Sequence, residues 1–105
     1  MSQFDVHRNP SLASRASVPY VVNVQSGLLE ALPTRLTIPL GTVSSLSGLE
    51  PKSLCPRLLF EGEQLCALPH LSAAFRVKDL GRAVGSLSAH SHKLVGAIDA
   101  VLSGV

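Results

Sequence analysis

Residues 86–105, which end the chain, read SLSAHSHKLVGAIDAVLSGV. Apolar residues recur there at steps of three and four, the spacing that lines one face of an α-helix; they are Leu87, Leu94, Ile98, Val101 and Leu102. Ser86 or Ser88 can accept a hydrogen bond from a free backbone N–H and so begin a helix. Gly104 tolerates the left-handed conformation in which helices end. The pattern predicts a C-terminal helix with exposed final residues.

This helix has two interpretations. It is either a plain helix docked on a core, or a probe whose bare Gly104-Val105 tip enters a partner. Helical periodicity is the same in both cases, so the pattern alone does not choose between them.

Short β-rich runs separated by turn residues precede the helix. They cover residues 3–8, 20–24, 34–40, 56–62, 64–68 and 74–77. Glu61-Gly62-Glu63 is typical of a hairpin turn between the fourth and fifth runs. Pro39 lacks an N–H and is expected at a sheet edge or a strand end. Many short strands followed by one helix predict a mainly β fold, a small antiparallel, barrel-like sheet with the helix packed against it.

The composition limits the size and the partners of the protein. A chain of 105 residues predicts one domain over residues 1–105. Apolar residues make up 46% and charged residues only 15%, so we expect apolar surface to be buried in a homodimer. Gly96 and Ala100 would let two C-terminal helices approach closely near the two-fold axis. The net charge of +2, with scattered Lys and Arg, disfavours direct DNA binding.

The sequence predicts a cytoplasmic location. No apolar stretch approaches the roughly 20 residues that span a bilayer, so no membrane contact is expected. The N-terminal MSQFDVHRNP lacks the apolar run of a signal peptide.

No set of side chains predicts catalysis or metal binding. Cys55 and Cys66 match no zinc spacing and have no histidine pair at ligand spacing beside them, so we interpret them as small buried thiols. His90 and His92 would point to different faces of a helix and could not share a metal. We expect a binding protein rather than an enzyme, with no cofactor and no metal.

Four segments of the chain resemble the CcdB family, the toxins of bacterial toxin–antitoxin pairs. They are QFDVHRN at residues 3–9, YVVNVQSGLLEALPTRLTIPL at 20–40, LCPRLLFEGEQLCAL at 54–68, and the helix closing on Gly104-Val105. The similarity covers nearly the whole chain in the same order. It implies an SH3-like barrel variant related to the MazF ribonuclease fold, with an antiparallel sheet and a C-terminal helix.

The resemblance also implies a function. In the family, a toxin homodimer binds the DNA gyrase A subunit with the tip of its C-terminal helix and traps the enzyme on cleaved DNA, without being an enzyme itself. A CcdA-type antitoxin neutralises the toxin and represses the shared operon together with it. Contact with DNA is therefore indirect, through the antitoxin.

Transferred to this sequence, the gyrase-binding residues are Leu28, Leu29, Asp99, Leu102, Ser103, Gly104 and Val105. The best-known form of the family ends in Trp-Gly-Ile, so Ser103 stands where that form has its aromatic residue. An indole supplies stacking and apolar contact with a cationic group, whereas a serine hydroxyl supplies one modest hydrogen bond.

Two alternatives stay open at the level of sequence. A MazF-like endoribonuclease would need an acid/base set and a basic RNA groove, and the sequence predicts neither. A decayed, non-toxic homologue would only bind antitoxin or act as a co-repressor. RNA cleavage without gyrase would favour the first alternative. Tight antitoxin binding without growth arrest would favour the second.

Overall fold

The computed structural model of the chain describes residues 2–104. Within them, seven strands form one sheet, in which every strand pair is antiparallel. The strands are β1 Asp5–Arg8, β2 Tyr20–Asn23, β3 Thr34–Thr42, β4 Arg57–Phe60, β5 Glu63–Ala67, β6 Ala73–Arg76 and β7 Ala83–Ser86. Two α-helices complete the fold, the single turn α1 Val77–Leu80 and the C-terminal α2 Ser91–Ser103. The predicted mainly β fold with a C-terminal helix is confirmed.

The sheet is organised around β3. Its strand order is β4-β5-β3-β2-β1-β7, and β6 also pairs with β3. On one side β3 pairs with β2 throughout residues 37–40. On the other side its first half pairs with β6 and its last residues pair with β5. The right-handed twist of the strands accumulates across this order, so the sheet curls into a half-barrel rather than lying flat.

The hollow of the half-barrel contains the main hydrophobic core. Its buried members come from the strands, from Leu87 and from α2: Val6, Val22, Ile38, Leu40, Leu58, Phe60, Leu65, Ala67, Leu87 and Leu94. In α2, Leu94 and Ala97 are buried and Ile98 packs against the same core. Val101 and Leu102, which the periodicity placed on the same face, are exposed. The helix thus buries its first half and leaves its last turn free.

The predicted hairpin between β4 and β5 is confirmed. Phe60 and Glu63 are opposite each other, which leaves Glu61 and Gly62 as a two-residue turn. Their φ angles are 53° and 78°, and two consecutive positive φ values are what a type I′ turn requires.

The expectation for Pro39 is wrong, because Pro39 lies inside β3 and opposite Val21 of β2. The carbonyl of Pro39 accepts a hydrogen bond from Leu68 N–H at 2.9 Å. In an antiparallel strand the N–H and C=O of one residue point to the same side. The missing N–H therefore faces Leu68, whose carbonyl accepts instead from Leu71 N–H at 3.0 Å.

The C-terminal helical segment covers Ser88–Ser103, in agreement with a start at Ser86 or Ser88, but its first turn is 3-10 rather than α-helical. Residues 83–86 form β7, which pairs with β1 through Asp5↔Ser86 and Val6↔Gly85. The Ser86 hydroxyl accepts from Ser88 N–H at 3.2 Å, but this bond starts a 3-10 turn, Ser88–His90. The α-helix begins at Ser91 without a side-chain cap.

The two cysteines are buried and unbridged, as predicted. They belong to a second apolar cluster with Leu68, against which Leu46 and Leu54 pack. Burial raises the pKa of both thiols. The Cys66 thiol donates to the Cys55 carbonyl at 3.2 Å.

No helix in residues 2–104 has the length and apolar character needed to cross a bilayer.

Candidate functional site

The last turn of α2 is exposed, and its shape is set by hydrogen bonds of the chain itself. Leu102 is 80% exposed. Gly104 has φ 73° and ψ 17°, the left-handed conformation predicted for the helix end, and its N–H donates to the Ala100 carbonyl at 2.9 Å. The Ser103 hydroxyl donates to the Asp99 carbonyl at 2.6 Å. Val105, also predicted as a site residue, lies outside the described residues.

The loop that joins β2 to β3 presents two leucines to solvent. Gly27–Leu29 form a 3-10 turn, at whose start the Ser26 hydroxyl accepts from Leu28 N–H at 3.2 Å. Leu28 is 94% exposed and Leu29 is 49% exposed. The two adjacent leucines together offer apolar area that a partner could cover.

The buried side chain of Arg35 stabilises this loop through hydrogen bonds. The Arg35 guanidinium donates to the carbonyl oxygens of Glu30 at 2.9 Å, Leu32 at 2.7 Å and Thr34 at 2.9 Å. Its side chain is almost fully buried, and the carbonyl oxygens satisfy its donors in place of water. The loop conformation therefore depends on a residue that is itself shielded from solvent.

Gln25 ties the same loop to the start of β3. Its side-chain amide donates to the Leu29 carbonyl at 3.2 Å and to the Thr34 carbonyl at 3.0 Å. Its side-chain oxygen accepts from Leu36 N–H at 2.9 Å. The Gln25 amide therefore links the start of the loop to the start of β3 and holds the Leu29 backbone in place.

A groove of about 430 Å³ lies between this loop and α2. It is lined by Val24, Gln25, Ser26, Leu29, Leu36, Val95, Ile98 and Asp99. The fold thus brings Leu29 and Asp99, which are distant in the sequence, to one groove. Its walls are mainly apolar, and Asp99 is the charged residue among those that line it.

The predicted site residues do not all share that groove. Gly104, together with Ala100, lines a separate cavity of about 190 Å³ beside Ser53 and Leu54. Leu28 and Leu102 project into solvent without lining either cavity. The structure therefore describes an extended surface around the end of α2 rather than one pocket.

Sequence reasoning missed most of the groove lining. Val95 could have been found, because it lies three and four residues before Ile98 and Asp99 and so shares their helix face. Leu36 alternates with the buried Arg35 and Thr37 along β3 and gave no separate signal. Gln25 gave no separate signal either, since its bonds to Leu29 and Thr34 exist only in the folded loop.

The surface can bind apolar groups and a neighbouring cation. Within residues 2–104 the Arg76–Asp79 pair at 2.9 Å is the only salt bridge, so the Asp99 carboxylate has no cationic partner among the described residues. A carboxylate at the rim of an apolar groove favours side chains with an apolar stem and a positive head.

Comparison with curated proteins gives no match for this chain. The family model described as CcdB protein matches residues 3–104. The match includes every strand, both helices, the loop with Leu28 and Leu29, and the exposed end of α2. Since the match extends over nearly the whole chain, the protein belongs to the CcdB family.

Proposed function

We propose that the protein is the toxin of a toxin–antitoxin pair, and that it binds the DNA gyrase A subunit and traps the enzyme on cleaved DNA. It acts by binding and not by catalysis, in the cytoplasm, where gyrase works on the chromosome. The observation that carries the proposal is the exposed end of α2 beside the exposed loop leucines. Membership of the family supports it.

The proposed gyrase-binding residues are those transferred from the family: Leu28, Leu29, Asp99, Leu102, Ser103, Gly104 and Val105. Two of them line the apolar groove, and Leu28 and Leu102 are the most exposed leucines of the set. Arg35 and Gln25 donate hydrogen bonds to carbonyl oxygens of the loop, and the Ser26 hydroxyl accepts one from Leu28 N–H. These bonds keep the loop ordered before binding, which lowers the entropic cost of association.

The proposed active form is a homodimer with the two α2 helices near the two-fold axis. Gly96 supports this, because it is exposed and no atom lies within 4 Å of a Cβ built on it. Nothing in its own subunit therefore explains a glycine that costs about 1 kcal/mol in a helix interior. Gly96→Leu, whose Cβ meets no atom within 4 Å inside the subunit, should shift the protein towards monomer in sedimentation equilibrium. A wild-type chain that is monomeric at micromolar concentration would refute the dimer.

An antitoxin of the CcdA type is the second proposed partner. It would neutralise the toxin and, in complex with it, repress the shared operon. The modest net charge of +2 supports an indirect contact with DNA, because a protein that neutralises many phosphates needs a basic surface.

The decisive experiment compares loop and tip variants with a matched control. Leu28→Ser and deletion of residues 104–105 should each abolish binding to a gyrase A fragment and inhibition of supercoiling. Leu12→Ser is the control, because Leu12 is also a highly exposed leucine (76%) but belongs to another loop. All three variants should keep the circular dichroism and the unfolding midpoint of the wild type, since exposed and terminal residues rarely carry a core.

The opposite outcomes separate the alternatives. Unchanged gyrase inhibition after the tip deletion would show that the active end is elsewhere. RNA cleavage by the purified protein without gyrase would replace the proposal with a ribonuclease. Tight antitoxin binding without growth arrest in a sensitive host would identify a homologue that has lost its toxicity.

A further inference from the structure

A cavity of about 360 Å³ lies beside β1 and the turn that leads into β7, and it shares no lining residue with the groove described above. It is lined by Asp5, His7, Gly81, Arg82 and Ala83. Its volume falls at the lower end of the range for small-molecule sites, about 300–1,000 Å³. None of the residues proposed to bind gyrase lines this cavity, so gyrase binding leaves it without a function.

His7 is a buried polar side chain that the fold leaves unpaired. Its side chain is 1% exposed, and neither Nδ1 nor Nε2 has a hydrogen-bond partner among residues 2–104. Because an unpaired buried donor or acceptor destabilises the folded chain, folded proteins rarely keep one without a reason. A ligand that pairs with the ring would supply that reason.

A β-bulge interrupts the sheet at the position of His7. Val6 is opposite Gly85, whereas His7 is opposite Ala83, so Val84 is an extra residue in β7. Val6 belongs to the main core, and His7, the next residue in the strand, points to the opposite face of the sheet. Bulges often occur next to binding sites, where they redirect a side chain. The regular ladder therefore ends where the His7 side chain lines the cavity.

The cavity presents one negative and one positive side chain that are not paired with each other. Among residues 2–104 only Arg76 and Asp79 form a salt bridge, so the charges of Asp5 and Arg82 stay separate. The Oδ2 atom of Asp5 accepts from Ser2 N–H at 2.9 Å. A simple anion would be attracted by Arg82 and repelled by Asp5, and a simple cation the reverse. The two charges together favour a ligand that carries both signs.

We propose that this cavity binds a small zwitterion of the free α-amino-acid class. The Arg82 guanidinium pairs with the carboxylate of the ligand, and the Asp5 carboxylate accepts from its ammonium group. His7 supplies a further polar contact, because a neutral imidazole donates from one ring nitrogen and accepts at the other. The ring nitrogens are shielded from solvent. Arg82 is exposed, so its side chain can turn aside and admit the ligand.

The test titrates the full-length, ¹⁵N-labelled protein with each of the common L-amino acids and follows side-chain nitrogens by nuclear magnetic resonance. We expect at least one amino acid to shift the ring nitrogens of His7 and the guanidinium of Arg82 along one saturable curve. Acetate and methylammonium each carry only one of the two charges. Both should bind roughly tenfold more weakly or worse, since each leaves one charged group of the cavity without its partner.

Variants of the lining residues test the assigned contacts. His7→Phe keeps a buried ring and removes both unpaired nitrogens. It should weaken amino-acid binding roughly tenfold or more and raise the unfolding temperature, because no buried donor or acceptor is then left unpaired. Arg82→Gln and Asp5→Asn should weaken binding to a similar degree.

Arg57→Gln and Glu63→Gln are the matched controls, because both side chains are exposed and neither lines the cavity. Both variants should bind like the wild type. Full binding in Arg82→Gln, equal binding of acetate alone, or no response to any amino acid would overturn the assignment. If His7→Phe fails to fold, Arg82→Gln still decides, because its side chain is exposed. Gyrase inhibition is independent of these outcomes.

Discussion

The ring of Phe60 lies directly against the backbone of Gly85, so that a Cβ built on Gly85 would be 2.5 Å from Cε1 and 2.6 Å from Cζ of the ring. Phe60 ends β4 and Gly85 lies in β7, the two ends of the strand order. Tyr20 meets the same ring edge-on, at 5.1 Å between centroids. The absent side chain at position 85 is therefore what allows the curled sheet to bring its two ends together.

Gly85→Ala should destabilise the fold by about 1–3 kcal/mol, the usual cost of overpacking a core. The ring cannot withdraw without losing its contact with Tyr20. Gly27→Ala is the matched control, because nothing lies within 4 Å of its Cβ position. Urea unfolding measures both variants, and equal stability of the two would contradict this account of the closure.

Arg35→Met should lower the unfolding free energy by about 1.5–3 kcal/mol, the range for hydrogen bonds to charged groups. It removes three bonds to carbonyl oxygens of the loop and should weaken gyrase binding without altering Leu28 or Leu29. Arg57→Met, at an exposed position of β4, should change stability by less than about 0.5 kcal/mol. Chemical denaturation and binding to a gyrase A fragment test both effects. Full gyrase affinity in Arg35→Met would show that the loop orders itself on binding.

Ser103→Trp should strengthen binding to gyrase by roughly tenfold or more, since burying a large apolar side chain contributes about 1.5–3 kcal/mol. Ser103→Ala is the control. It removes only the hydroxyl bonded to the Asp99 carbonyl and should leave the affinity close to that of the wild type. Titration calorimetry with a gyrase A fragment distinguishes the two. A weaker Ser103→Trp complex would mean that this surface meets its target in a geometry that excludes the aromatic residue.

Glu50 should make the stability of the 47–50 turn sensitive to acid. The Ser47 N–H and hydroxyl lower the pKa of Glu50 from 4.5 to about 2 in the folded protein. A carboxyl whose pKa is depressed by folding contributes stability above its unfolded pKa and loses it as pH falls through the folded pKa. The stability difference between wild type and Glu50→Gln should therefore be full above about pH 4.5 and vanish as pH falls to about 2.

Nuclear magnetic resonance titration of the Glu50 carboxyl carbon measures this pKa directly. Ser47→Ala removes the hydroxyl donor and keeps the backbone donor, so its titration midpoint should move only part of the way back. A wild-type midpoint near 4.5 would refute the hydrogen-bonded turn.

The sequence by itself determined the elements whose conformation depends on near neighbours. The hairpin at Glu61-Gly62 follows from Gly62, which accepts positive φ, and the end of α2 follows from Gly104. Alternation along β3 and the burial of both cysteines were also predictable, because side-chain period and hydrophobicity are local properties. The family resemblance directed attention to the end of α2 and to Leu28 and Leu29.

Only the tertiary structure decided the features that join distant residues. Pairing with β1 made residues 83–86 a strand that the sequence analysis did not predict. The gap between β5 and β6 allowed Pro39 inside a central strand. Folding placed Leu29 and Asp99 in one groove and the Cys55 sulfur 4.0 Å from His70 Nδ1. Residues so far apart in the chain meet only when the sheet curls, so no local sequence pattern predicts these contacts.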